Sequence, residues 1–290
     1  MKQLFEKYSY KTIANENIEL NVSTLAAKSN LYKTEENLKL LFSLIDLTSL
    51  GSEDNANKIK LMTTKVNDLN QTFPNMPNVA AICVYPSMVE HVKSTLTIKN
   101  IGIASVGGGF PSSQTFLNIK VDECKQAIDA GATEIDIVLS IGRFFEGDYD
   151  YCLKEIKNIK AAIGHNHLKV ILESGALKSH QQIWEASILA MEAGADFIKT
   201  STGKQNPAAT TDAMYVMTKA IKAFYDNTGK KIGIKPAGGI VTTEDALNYY
   251  SIVKENLGND WLNSELFRLG ASRLANNLLS EITHGEVAYF

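Results

Sequence analysis

Residues 193–204 read AGADFIKTSTGK. Two apolar residues, Phe197 and Ile198, run straight into Lys199 and then into Thr200, Ser201, Thr202 and Gly203, the form of a buried strand that ends at a polar rim. An ammonium therefore stands where a core strand ordinarily carries Val or Ile. Burying a charge without a partner is costly, so such a lysine pairs, escapes to solvent, or lowers its pKa and becomes a neutral amine. The third outcome makes a nucleophile.

The same anomaly recurs in residues 233–239, GIKPAGG, where Lys235 follows apolar residues and precedes a proline and a glycine pair. Two lysines thus end two strands that can be neighbours. About 5 Å apart at an effective dielectric near 20, two ammoniums repel by roughly 3 kcal/mol, or roughly 2 pKa units. With desolvation added, a lysine falls from about 10.4 to near neutrality and can attack a carbonyl.

Outward from these two strand ends, a short apolar run, a polar rim and an amphipathic segment recur, which is the sequence form of a βα unit. The first strand ends in LIDLTSL, with Asp46 and Thr48, and seven more are expected at 79–85, 101–106, 134–140, 169–173, 197–201, 231–236 and 266–270. Helical periodicity fills 54–69, 86–98, 116–130, 149–163, 180–193, 210–225, 243–257 and 272–283. Strict alternation implies parallel strands with crossover helices, and eight units favour closure into a (β/α)8 barrel. An open doubly wound sheet would carry GxGxxG after its first strand, where this chain has GSEDNANK. In a barrel the chemistry belongs at the C-terminal strand ends, where Asp46, Asp136, Lys199 and Lys235 all fall.

The 290 residues, 44% of them hydrophobic and 21% charged, suit one large domain of this kind. Residues 1–32 are polar and mixed in pattern and read as an N-terminal extension of one or two helices, with residues 33–290 as the barrel. A net charge of -3 and a pI near 6.0 give no basic footprint for nucleic acid. No signal peptide and no eighteen-residue apolar run are apparent, so the protein is expected in the cytoplasm with no membrane partner. Cys83, Cys124 and Cys152 are widely spaced and odd in number, suggesting neither a disulfide framework nor a zinc site. The five histidines fall on expected helices and loops, with no HxH at a strand end, so no metal site is expected.

Asp136 sits in EIDIVLS between Ile135 and Ile137, so strand alternation turns it away from both and towards the barrel interior. One reading makes it a core aspartate paired with a lysine for structure alone. The other makes it part of a reactive group, since two lysines and one carboxylate exceed what neutralisation needs. Gly238 and Gly239, followed by Thr242–Asp245 at a helix start, offer backbone N–H groups to a phosphate, or simply make a turn. LGASR, residues 269–273, supplies a second strand-to-helix turn with Gly270 and Ser272, while Arg273 either adds charge there or sits on a helix surface. Cys83, in AAICVYP, is a small core residue or a thiol facing the same rim.

These stretches, LIDLTSL, AAICVYP, AGATEIDIV, LKVILESGAL, AGADFIKTSTGK, GIKPAGGI and LFRLGASRL, resemble the deoxyribose-phosphate aldolases, class I aldolases with a TIM barrel fold. The resemblance implies that Lys199 forms the Schiff base, that Lys235 perturbs its pKa, and that Asp136 works with Lys235 on proton transfers. It implies that Asp46, Thr48, Cys83, Thr202 and Lys204 line the substrate pocket, and that Gly203, Gly238, Gly239, Gly270 and Ser272 form the phosphate turns. The implied reaction is reversible cleavage of 2-deoxy-D-ribose 5-phosphate into D-glyceraldehyde 3-phosphate and acetaldehyde, with no cofactor and no metal. The implied partners are small sugar-phosphate and aldehyde substrates, with a homodimer as the assembly left open.

The chain departs from the family pattern in places. SVGGGFPSS, residues 105–113, carries three glycines where a more flexible rim is expected, and Arg273 follows Ser272 where a second serine is common. Family members can end in a tyrosine that assists proton transfer, whereas here Tyr289 is penultimate and its role stays open. Another imine-forming barrel aldolase, acting on a different sugar phosphate or a keto acid, is the nearest alternative. A non-catalytic sugar-phosphate binder is the other, and retention of both lysines with Asp136 speaks against it.

Overall fold

The computed structural model describes residues 2–290; Met1, the first residue of the expected extension, lies outside them. Three helices, α1 (Lys2–Lys7), α2 (Ile18–Ser29) and α3 (Glu35–Ser43), precede the first strand. Eight parallel strands follow: β1 (Ile45–Thr48), β2 (Ala81–Val84), β3 (Gly102–Gly107), β4 (Glu134–Val138), β5 (His167–Ile171), β6 (Phe197–Lys199), β7 (Gly233–Lys235) and β8 (Leu269–Ala271). They pair in the order β7-β6-β5-β4-β3-β2-β1-β8, and parallel bridges from Ile234 to Phe267 and Ala237 to Gly270 bring β7 back to β8. The expected barrel is borne out.

Between the strands run α4 (Ala56–Thr72), α5 (Val89–Thr95), α6 (Leu117–Asp129), α7 (Ile141–Phe145), α8 (Tyr149–Ile163), α9 (His180–Glu192), α10 (Thr211–Thr228), α11 (Thr243–Leu257) and α12 (Arg273–Thr283). Their starts follow side-chain chemistry: Asn55, Ser179 and Thr210 each accept a first-turn N–H with the side-chain oxygen. The run expected as one helix at 86–98 divides into a 3-10 turn, Pro86–Met88, and the short α5. Helix α7 has no counterpart in the periodicity, being a single turn.

The last three strands, β7 at both ends, are shorter than the apolar runs suggested, and backbone chemistry accounts for one end of each. Beyond Lys235 comes Pro236, which has no N–H to give a ladder. Beyond Lys199 the chain leaves the ladder after Thr200 N–H donates to Lys235 C=O. Ahead of β8, Phe267 N–H turns back onto Asn263 C=O, so pairing with β1 begins only at Leu269.

Period-two alternation sorts the strand residues into two environments. Ile135, Ile137, Leu168, Val170, Ile198 and Ile234 are buried in the apolar layer shared with the helices. The residues between them, Asp136, Lys169, Lys199 and Lys235, face one another inside the ring of strands. On the β2 and β3 side the interior is apolar instead, with Ala81, Cys83, Ala104 and Val106 forming a small cluster of their own. One wall is therefore apolar and the opposite wall charged.

The N-terminal segment lies along the outer helices. Trp184 of α9 donates its indole N–H to Tyr8 C=O at 2.7 Å, Asn21 of α2 donates to the hydroxyl of Tyr215 on α10, and Ser251 of α11 donates to Leu25 C=O. Helix α3 packs against α11 and α12.

Candidate active site

At the C-terminal strand ends a cavity of about 310 Å³ opens, close to the lower limit for ligand sites. Lys199 reaches its wall from β6, and Thr48, Thr202 and Lys204 stand around it. Larger hollows of about 630 and 790 Å³ lie elsewhere on the surface and do not reach Lys199.

Lys199 is 3% exposed, and its Nζ lies 2.8 Å from Asp136 Oδ2. The same oxygen accepts from Lys235 Nζ at 2.9 Å, which places the two lysines side by side across the β6–β7 pair, where they are in register. Asp136 Oδ1 accepts from Lys169 Nζ at 3.0 Å. One carboxylate thus serves three amines, and they do not share it equally.

Lys169 is also paired with Glu134, and Lys235 also with Asp46. Burial works against the charged forms of Lys169 and Lys235, but Asp136 and these second carboxylates outweigh it and hold both amines above the usual lysine range. For Lys199 the balance goes the other way. Burial is the largest influence and lowers its pKa, Asp136 opposes it, and the Lys235 ammonium lowers it further. The nucleophile expected from the strand end is therefore the amine whose pKa falls. Desolvation, more than the neighbouring ammonium, brings it down.

Asp136 stays ionised because Lys169 and Lys235, with the hydrogen bond from Lys199, outweigh its burial and hold it well below the usual carboxylate range. Asp46 sits beneath the cavity instead of lining it. It is fully buried, ion-paired with Lys235 and, at 2.7 Å, with Arg268, and held low by these cations against burial. Cys83 is likewise buried behind the wall, and burial pushes its thiol up, away from the thiolate form.

The phosphate-type turns converge on the cavity mouth. Gly203, Gly238, Gly239, Gly270, Ser272 and Arg273 all line it. Gly238 has φ +84°, and a Cβ there would come within 2.8 Å of Ala208 and 3.0 Å of the Gly203 backbone, so only glycine lets the two turns approach. The start of α11 does not contribute as the sequence suggested. Its capping box is internal: Thr242 accepts from Asp245 N–H, and the Asp245 carboxylate takes the N–H groups of Val241 and Thr242. An anion already occupies that helix end. Helix α12, by contrast, has no side-chain cap from Ser272, so its positive end faces the cavity with the exposed Arg273 beside it.

Residues 41–254 match the model of the DeoC/LacD family aldolases. The chain belongs to that family. It is 42% identical over 253 residues to the deoxyribose-phosphate aldolase of Homo sapiens and 41% over 251 residues to that of Bos taurus, each alignment covering 83% of this chain and 79% of the relative. Among solved structures, the tetrameric deoxyribose phosphate aldolase from Aeropyrum pernix superposes with a TM-score of 0.68 at 21% identity, over 88% of this chain and 96% of that one, a likeness of fold. The chain is thus an aldolase, a lyase, on a TIM barrel.

Within this family member several expectations change. Tyr289 spends its hydroxyl on Lys65 C=O at 2.7 Å and packs its ring edge-on against Phe73, so it does not line the lysine cavity. Phe290, the last residue, instead lies in an adjoining groove beside Ser272 and Arg273. The glycine-rich loop expected to be a flexible rim is tied down: Gly109 N–H donates to Glu123, and Ser113 accepts from the buried Lys120, which also pairs with Glu155.

Four buried charged residues around the site escaped the sequence reading: Glu134, Lys169, Glu173 and Arg268. Period two would have flagged the first, two positions before Asp136, and Arg268, two before Gly270. Glu173, at φ +49° just past β5, accepts the N–H of Thr202 at 3.1 Å and its hydroxyl as well, bracing the loop that carries Gly203 and Lys204. No local pattern announces that role. Among the described residues, no group of three or more His, Cys, Asp or Glu could hold a metal ion, and no helix is long and apolar enough to cross a membrane.

Proposed function

We propose that this aldolase reversibly cleaves 2-deoxy-D-ribose 5-phosphate to D-glyceraldehyde 3-phosphate and acetaldehyde through an imine on Lys199. The observation that carries this reading is the asymmetry among three amines on one carboxylate: Lys169 and Lys235 are held charged, while Lys199, at the cavity wall, is pushed towards its neutral form. A free amine beside a fixed ammonium suits imine formation, the first as nucleophile and the second as proton donor.

The neutral Nζ of Lys199 attacks C1 of the open-chain sugar. Lys235, as an ammonium, donates to the developing hydroxyl, water leaves, and a protonated imine remains. Loss of the C3 hydroxyl proton, through a water beside Asp136 and Lys235, breaks the C2–C3 bond, and its electron pair flows into the imine to give an enamine. Glyceraldehyde 3-phosphate departs with the C3 carbonyl. Protonation at C2 and hydrolysis then release acetaldehyde and restore Lys199. The glycine turns, the open end of α12 and Arg273 line the same cavity as Lys199, which supports their holding the phosphate.

Incubation with acetaldehyde followed by borohydride reduction should leave an ethyl group on the peptide containing Lys199, and Lys199→Ala should abolish both adduct and cleavage. Cleavage that survives Lys199→Ala would end the assignment.

A further inference from the structure

We propose that Arg268, Glu134 and Lys169, placed beneath the cavity, are positioning residues that close a ring of three cations and three carboxylates and so leave Lys199 without a carboxylate of its own. This rests on Lys199 being the imine-forming amine, and it assigns the state of that amine to residues that do not line its cavity.

The ring can be followed atom by atom. Arg268 donates to Asp46 Oδ1 at 2.7 Å and to Glu134 Oε1 at 3.0 Å. Asp46 pairs with Lys235, Lys235 with Asp136 at 2.9 Å, Asp136 with Lys169 at 3.0 Å, and Lys169 with Glu134, which returns to Arg268. Cations and carboxylates alternate around all six positions. The planar guanidinium spans the two carboxylates that the lysines leave open, as its fork geometry suits.

Each group in the ring is buried, so the interior tolerates the six charges because they cancel. A proton on Lys199 would add a positive charge for which the ring holds no carboxylate in reserve. Lys199 meets only an oxygen of Asp136 that Lys235 already occupies. Apart from Asp136, no charged group around Lys199 among the described residues is its ion-pair partner, and Arg273 at the cavity mouth is exposed. Cys83 on β2 is held in the thiol form by burial, and the interior of β3 is apolar. Glu173 beyond β5 is engaged by Thr202, while Lys204 at the mouth reaches Leu50 C=O. At the opposite mouth His167 lies 3.9 Å from Glu134, on the far side of the ring from Lys199. The ring is also braced from below: the Phe197 ring packs under Lys169 and Arg268, and it fits because Gly233 has no Cβ, which would otherwise meet it at 2.3 Å.

The test reads the pH at which acetaldehyde-dependent, borohydride-trapped ethylation of Lys199 is half-maximal, in wild type, Arg268→Gln, Glu134→Gln and the double variant. Removing the guanidinium charge leaves one carboxylate unbalanced, so Arg268→Gln should move the midpoint up by at least about one pH unit, a tenfold loss of adduct at pH 7. Glu134→Gln removes a carboxylate and should move it down or leave it in place. The double variant restores the balance while breaking the hydrogen bonds, and its midpoint should return to within about half a pH unit of wild type. A double variant that stays with Arg268→Gln, two single variants that shift the same way, or an unmoved Arg268→Gln would overturn the proposal. Should the neutral substitution not fold, Arg268→Lys takes its place: it keeps the charge and loses the fork, so its midpoint should stay near wild type, and a shift of one pH unit or more counts against the ring. Wild-type protein that forms no adduct on Lys199 at any pH would instead bring down the aldolase chemistry on which the ring depends.

Discussion

Lys235→Met replaces a fixed ammonium with an apolar chain of similar length, and its effect on Lys199 can be worked from the geometry. Both Nζ atoms lie within 2.9 Å of Asp136 Oδ2, so they are less than about 6 Å apart. At an effective dielectric near 20, charges at that distance repel by at least about 2.8 kcal/mol, equivalent to about 2 pH units on the titration of Lys199. The substitution also frees Asp136 Oδ2 to pair with Lys199 alone, which acts in the same direction, so the figure is a lower limit. The midpoint of acetaldehyde-dependent adduct formation should rise by at least about 2 pH units, with a roughly hundredfold loss of rate at pH 7 that recovers in alkali. Quenched borohydride time courses across a pH series, with the Lys199 peptide quantified by mass, measure this directly. A midpoint within half a pH unit of wild type would show that burial alone governs the amine. A rate lost at every pH would show that Lys235 matters as a proton donor and not as a charge.

The depressed pKa of Lys199 also has a signature in stability. Between its folded value and about 10.4 the unfolded chain binds the proton that the folded chain does not, so stability gains about 1.4 kcal/mol per pH unit from this group as pH rises through that window. Lys199→Met should remove that slope, and the difference between the two proteins' urea midpoints from pH 7 to 10 isolates it; parallel curves would mean that Lys199 is an ordinary charged lysine. At the mouth, Arg273→Ser should raise KM for deoxyribose phosphate about tenfold, the worth of one exposed charge contact of about 1.4 kcal/mol, and leave turnover of unphosphorylated deoxyribose unchanged. Equal effects on both sugars would place Arg273 outside the phosphate site.

The alternation of apolar runs and amphipathic segments was enough to specify eight strands and their crossover helices, because each depends on a period read within a dozen residues. Lys199 and Lys235 announced themselves for a related reason, since a charge inside a strand is anomalous wherever the strand goes. The caps at Thr210 and Thr242 are equally local. Partner choice was not local. Asp46 and Arg268 are 222 residues apart and Glu134 and Arg268 are 134 apart, and only closure of the barrel brings β1, β4 and the approach to β8 within hydrogen-bonding reach. The sequence placed Asp46 at a strand end and so at the cavity; the fold turned it inward, where two cations neutralise it. Tyr289 likewise carried a suitable hydroxyl, and the packing of the C-terminal residues against α4 and α12 gave it to Lys65. Sequence alone determined that an amine would be buried at the end of a barrel strand. Tertiary structure decided which of the buried amines keeps its proton, because that depends on how many carboxylates each one meets across the ring.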